Sequence, residues 1–197
     1  MQYPLTLSFK IIALAPQIYV RDASGRELLY VKQKLLKLKE KIRVFADSAQ
    51  SRQLYEINAD RILDIAARYS FTDASGQGVG SVKRQGLRSF WKATYEVADA
   101  SGRTVFLIEE ENPWVKVLDG LLGEIPILGV FAGYFLHPRY NVKRADRGTL
   151  AFRVSKHRSF LESTFEIEEL ERSAGETEEI PVLLSILMMT LLERDRG

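Results

Sequence analysis

The chain of 197 residues holds two histidines, His137 and His157, and no cysteine. Neither histidine has a partner at the spacing by which helices and ribbons hold zinc, so each reads as a surface or core-edge side chain. Without cysteine there are no disulfides, thiolate metal sites or thiol nucleophiles, a composition that fits a reducing compartment. Gly76-Gln-Gly-Val-Gly80 has the glycines of a phosphate loop but not the G-x-G-x-x-G spacing. It leads into Val82-Lys83-Arg84, a strand pattern, so no helix N-terminus would face a phosphate, and it reads as a hairpin turn. Carboxylates cluster at Glu109-Glu110-Glu111 and between Glu166 and Glu179, where pairs could serve hydrolysis or a divalent cation. In a strand, however, successive side chains point to opposite faces, and no Asp-x-Asp-x-Asp-Gly loop is present; a solvated face is the simpler expectation. No catalytic residue, metal ligand or cofactor is expected, and a hydrolase using scattered carboxylates ranks last among the readings.

The feature with the clearest chemistry is basic. Lys37, Lys39, Lys41 and Arg43 occupy odd positions, while Leu36, Leu38, Ile42 and Val44 occupy even ones, and Lys32 and Lys34 lie just upstream. A strand here would put four cations on one face. Near an anionic bilayer each contributes about 1 kcal/mol, falling off within a Debye length. These four residues are the candidate lipid-binding set. The competing reading is a strand that carries lysine to prevent edge-to-edge aggregation. Residues 161–197 hold 10 acidic and 3 basic side chains, and residues 1–160 hold 16 acidic and 25 basic. The acidic end could fold against the basic body, or the body could keep a basic face for an anionic partner. That excess is modest and the aromatics look committed to buried faces, so nucleic acid is not an expected partner.

The elements that must position these residues are strands. Leu5, Leu7, Phe9 and Ile11 alternate with polar residues, as do Leu161, Ser163, Phe165 and Ile167, which is the period of a half-buried strand. Asp-Ala-Ser-Gly occurs three times, at 22–25, 73–76 and 99–102, each time between plausible strands. Asp can accept bonds from the backbone just ahead of it, and Gly takes the positive φ that closes a tight hairpin. Runs between such turns number about a dozen, spanning roughly residues 4–170, which suggests a sandwich or a closed barrel. No linker divides the chain, so 1–197 reads as a single domain. Its first residues, MQYPLTLSFK, lack the basic and small-residue features of a signal peptide.

Ile180–Leu192 breaks the alternation, being apolar apart from Ser185 and Thr190. Glu176, Glu178 and Glu179 precede it and Arg194 and Arg196 follow, the order that suits a helix dipole. Pro181 is tolerable in a first turn. A helix apolar on all sides is buried in protein or in lipid, and thirteen residues fall short of a bilayer. A central helix over about 179–193 is therefore expected, with Ile180, Leu183, Leu184, Leu187, Met188 and Leu191 in the core. A second apolar stretch, 117–136, contains Asp119, Glu124, Pro126 and four glycines. It reads as a short helix with a buried loop or strand, because spanning would place two carboxylates near lipid.

Tyr69-Ser-Phe-Thr-Asp-Ala-Ser-Gly-Gln-Gly-Val-Gly-Ser-Val-Lys-Arg84, followed by Trp91-Lys-Ala-Thr-Tyr-Glu-Val-Ala-Asp-Ala-Ser-Gly102, resembles the repeated hairpin of the tubby C-terminal-like superfamily. That group includes the LURP-one-related proteins and the phospholipid scramblases. The resemblance implies a mainly β fold: about twelve antiparallel strands in a closed barrel around a buried C-terminal hydrophobic helix, with 115–136 an apolar insertion. It also implies a non-catalytic binding module, because tubby-type barrels bind phosphoinositide headgroups through surface basic residues. No phosphoinositide pocket motif is found here, so no binding residue is carried over. The expected partner is anionic membrane lipid, and the alternative is an unidentified protein. The expected location is cytoplasmic, peripheral to the inner face of the membrane.

Overall fold

The structure, a computed structural model, describes residues 1–10, 17–32, 41–60, 67–85, 94–111, 139–158, 162–172 and 175–194. Twelve strands alternate with turns: β1 Leu5–Lys10, β2 Gln17–Arg21, β3 Glu27–Lys32, β4 Ile42–Phe45, β5 Gln53–Ala59 and β6 Arg68–Asp73. The second half follows as β7 Gly78–Arg84, β8 Thr94–Asp99, β9 Thr104–Glu110, β10 Arg139–Arg144, β11 Leu150–Arg158 and β12 Glu162–Glu169. Each strand pairs antiparallel with its neighbours in sequence, and β12 returns to β1, closing the barrel. Closure leaves no free sheet edge. The expected mainly β barrel of twelve strands is what the chain builds.

The three Asp-Ala-Ser-Gly turns share one geometry. In each, the Gly N–H donates to the Asp carbonyl at 2.8–3.0 Å, and Gly25, Gly76 and Gly102 sit at φ 82°, 85° and 82°. The Asp Oδ1 accepts from the Ser N–H, the Ser hydroxyl and the N–H two residues beyond Ser. These bonds, the Ser hydroxyl foremost, hold the carboxyls of Asp22, Asp73 and Asp99 below the usual aspartate range. The carboxylate satisfies donors that a tight turn would otherwise leave to water. Asp47 does the same work in the β4–β5 turn, with Ser51 as its donor and Gln50 at φ 57° in place of a glycine.

The C-terminal helix α1, Glu176–Arg194, lies inside the barrel. Every residue from Pro181 to Leu191 is buried, so the helix has protein on all sides. Leu183, Leu184, Leu187, Met188 and Leu191 join one core cluster with Leu7, Phe9, Val20, Val44, Phe71, Phe106 and Phe152, and Ile180 packs against it half-buried. The two polar residues within this stretch bond to the helix itself: Ser185 Oγ donates to the Pro181 carbonyl at 2.6 Å, and Thr190 Oγ1 to the Leu187 carbonyl at 2.8 Å. The helix starts at Glu176, so Pro181 stands in its second turn rather than its first. Proline removes the bond to the carbonyl four residues back, which belongs to Thr177, an exposed residue whose carbonyl can turn to water. No helix among the described residues is long and apolar enough to cross a membrane. The apolar 117–136 stretch lies outside the described residues.

Candidate functional site

Strand alternation fixes which side chains leave the barrel. In β1 Leu5, Leu7 and Phe9 are buried and Lys10 is exposed; in β3 Val31 is buried and Lys32 exposed; in β4 Ile42 and Val44 are buried and Arg43 exposed. Register then lines these cations up. Lys10 stands opposite Gln17, and Gln17 opposite Lys32. One step along from the Val31–Val44 pair sets Lys32 opposite Arg43, and Arg43 stands opposite Glu56. The result is an outward-facing row, Lys10–Gln17–Lys32–Arg43–Glu56, running across five strands. Among the described residues, Lys10, Lys32 and Arg43 form no ion pair.

Lys41, just before β4, is exposed and gives its ammonium to Glu56 Oε1 at 2.9 Å. That bond, with a further one from Asn58 and the nearby Arg43 charge, holds the Glu56 carboxyl below the usual glutamate range. Beside the row, Tyr19 is nearly buried on the outer face and donates its hydroxyl to Gln17 at 2.7 Å. The Lys10 ammonium and Arg21 guanidinium lie 5.0 and 4.8 Å from its ring centroid, and Tyr30 packs against it at 5.1 Å. Cations over a ring face are attracted by its quadrupole, so Tyr19 helps to place Lys10.

Of the four cations predicted for this site, Lys41 and Arg43 lie at its edge and Lys37 and Lys39 fall outside the described residues. Lys10 belongs to the row although nothing near it in sequence suggests so. It reaches the patch through the β1–β2–β3 register, which no local pattern encodes.

A groove of about 470 Å³ opens where α1 enters the barrel. Tyr55, Val79, Ile180 and Pro181 give it apolar walls, and the turn residues Asp99 and Ser101 stand at its lip. The Asp99 carboxylate is committed to its own turn and to Arg103 at 3.3 Å. On the far side of the same mouth, Arg144 ties the helix down. Its two terminal nitrogens bond both oxygens of Glu178 at 3.2 and 3.1 Å, its Nε bonds Glu171 at 3.1 Å, and its guanidinium lies 5.2 Å from the Phe106 centroid. Glu110 is also found inside: it is 1% exposed at the end of β9, whereas Glu109 reaches Lys143 on the outer face. The glutamate run was expected to be solvated throughout; alternation along β9 sends Glu110 inward instead. Among the described residues no group of three or more histidines and carboxylates could hold a metal.

Residues 27–111, from the start of β3 to one residue past β9, match the LURP-one-related family. This stretch is similar to that family. The LURP-one-related family belongs to the tubby-like superfamily. LURP-one-related and tubby-like barrels are generally non-catalytic, and the family suggests a binding module. No curated protein matches the chain. Among solved structures, an Arabidopsis thaliana protein determined by X-ray crystallography is similar, with 14% identity over 95% of this chain and 91% of that one, at a TM-score of 0.48.

Proposed function

We propose that this barrel is a non-catalytic binding module that docks on anionic phospholipid at a membrane surface, in the cytoplasm and peripheral to the inner leaflet. Lys10, Lys32 and Arg43 make the docking face, with Lys41 beside them and Lys37 and Lys39 on the adjoining segment. The observation that carries this reading is the row itself: three exposed cations from three strands, brought into line by register and, among the described residues, held in no ion pair. Cations that served only to keep the surface soluble would be as well placed if scattered singly among acids. Basic residues near an anionic leaflet are drawn by its surface potential, and the attraction fades with salt.

Vesicle co-sedimentation tests it. The protein is expected to pellet with phosphatidylserine vesicles at low salt, to remain in solution with phosphatidylcholine alone, and to be released by high salt. A Lys37/Lys39/Lys41→Glu variant is expected to bind less. Failure to pellet with any anionic vesicle would end the lipid reading and turn the search to a protein partner.

A further inference from the structure

The row is the wrong shape for a single headgroup. Lys10 and Arg43 are three strand steps apart, about 14 Å between backbones at the usual strand spacing. They stand on the outer wall of a closed barrel, a convex surface on which side-chain tips spread apart rather than converge. Recognition of one polyphosphorylated headgroup depends on a concave site and directional donors. β1 to β4 are each paired on both sides, so their backbone N–H groups are spent in the ladder. Of the row's cations only Arg43 is a guanidinium, and Lys10 and Lys32 are point charges on flexible stems. Arg21, a second guanidinium beside Tyr19, is drawn to Glu27 at 3.5 Å and to the Tyr19 ring.

Resting on the lipid reading above, we infer that the row senses the charge density of a bilayer of monoanionic phospholipids and does not select a polyphosphorylated headgroup. The cations lie along a line, as a sheet of many headgroups would meet them. Glu56 tempers this surface. It holds Lys41 at 2.9 Å and lies opposite Arg43, so it withdraws positive charge from the end of the row.

The test compares vesicles of phosphatidylcholine carrying either phosphatidylserine or phosphatidylinositol bisphosphate, adjusted to equal total headgroup charge. Soluble inositol trisphosphate serves as competitor. Binding to the two anionic vesicles is expected to be equal, and the soluble headgroup is expected to displace the protein no better than salt of the same ionic strength. Lys32→Gln is expected to weaken binding by about five-fold and Glu56→Gln to strengthen it by up to about five-fold, the effect of one charge near an anionic surface. Both side chains face solvent at least in part, and circular dichroism would verify that both variants fold. Binding confined to the bisphosphate vesicles, and displaced by the soluble headgroup, would overturn the charge-density inference while leaving lipid docking in place. Binding to neither vesicle would overturn docking and this inference with it.

Discussion

Gly80 in β7 lies directly against Pro181 of the central helix. A Cβ at Gly80 would stand 3.0 Å from the Pro181 Cβ and 2.6 Å from the Ala98 carbonyl oxygen. The carbonyl belongs to the barrel wall and cannot retreat as a flexible side chain would. Gly80→Ala is therefore expected to destabilise the fold by about 1–3 kcal/mol, as overpacking does. Gly78, two residues earlier, has open space where its Cβ would go and no positive φ. Gly78→Ala is expected to change stability by no more than about 0.5 kcal/mol. Urea denaturation of the pair separates the combined crowding and positive φ of 156° at Gly80 from a general loss of glycine in β7.

The helix itself should tolerate no charge. Leu184 and Leu187 are both 0% exposed within the barrel. Leu184→Ala is expected to cost about 2–5 kcal/mol through the cavity it leaves. Leu187→Asp should not fold at all, because Leu187 sits in the apolar core cluster and a carboxylate there would lose its water. A soluble Leu187→Asp protein with unchanged circular dichroism and melting temperature would contradict the buried helix.

Arg144 fastens the helix to the rim. Removing its guanidinium leaves Glu178 and Glu171 close together without their shared cation, and these acids are only partly screened, at 25% and 33% side-chain exposure. Arg144→Met is expected to cost about 1.5–3 kcal/mol, the range for a hydrogen bond to a charged group. The midpoint of denaturation should fall while its slope stays unchanged, since the same surface is exposed on unfolding.

The turn carboxylates predict an acid limb. Asp22, Asp73 and Asp99 are held below their ordinary value, chiefly by the Ser24, Ser75 and Ser101 hydroxyls. A depressed folded pKa means that the unfolded chain binds the proton better, so the stability these turns add is complete above the ordinary aspartate pKa of about 3.9. It is lost as pH falls below that point. Melting temperature should decline most steeply in that acid range. Replacing all three serines by alanine should make the decline shallower, because the largest cause of the depression is then gone.

What the sequence made legible was local. Asp22–Gly25 and its two copies announced hairpins because the side chain that forms the turn and the glycine that closes it are neighbours in the chain. Leu5, Leu7 and Phe9 announced a half-buried strand, and Leu183 to Met189 a helix with no solvent face. Of the basic row, the sequence pointed to Arg43 and to Lys32 just upstream, with Lys41 beside them. Lys10 joins it from a distant part of the chain through cross-strand register, and register depends on the whole barrel closing. Glu110 departs from the solvated face for a related reason. Three adjacent glutamates look like a solvated run until the strand's phase is known, and Phe106 and Ile108 set that phase so that Glu110 points inward. Pro181 stands in the second turn and not the first because the helix recruits Glu176 to Glu179, whose acidity suits its positive end but gives no apolar signal.

The most direct test of the central claim reverses charge in the row and, separately, elsewhere on the barrel. Lys32/Arg43→Glu is compared with Arg68/Arg139→Glu, whose exposed side chains lie on β6 and β10. Both variants change net charge by the same amount, so any loss of binding to phosphatidylserine vesicles confined to one of them reports position. The row account predicts that Lys32/Arg43→Glu loses vesicle binding at low salt and that Arg68/Arg139→Glu keeps most of it. Equal loss in both variants, or none in either, would contradict the claim that this row is the docking face.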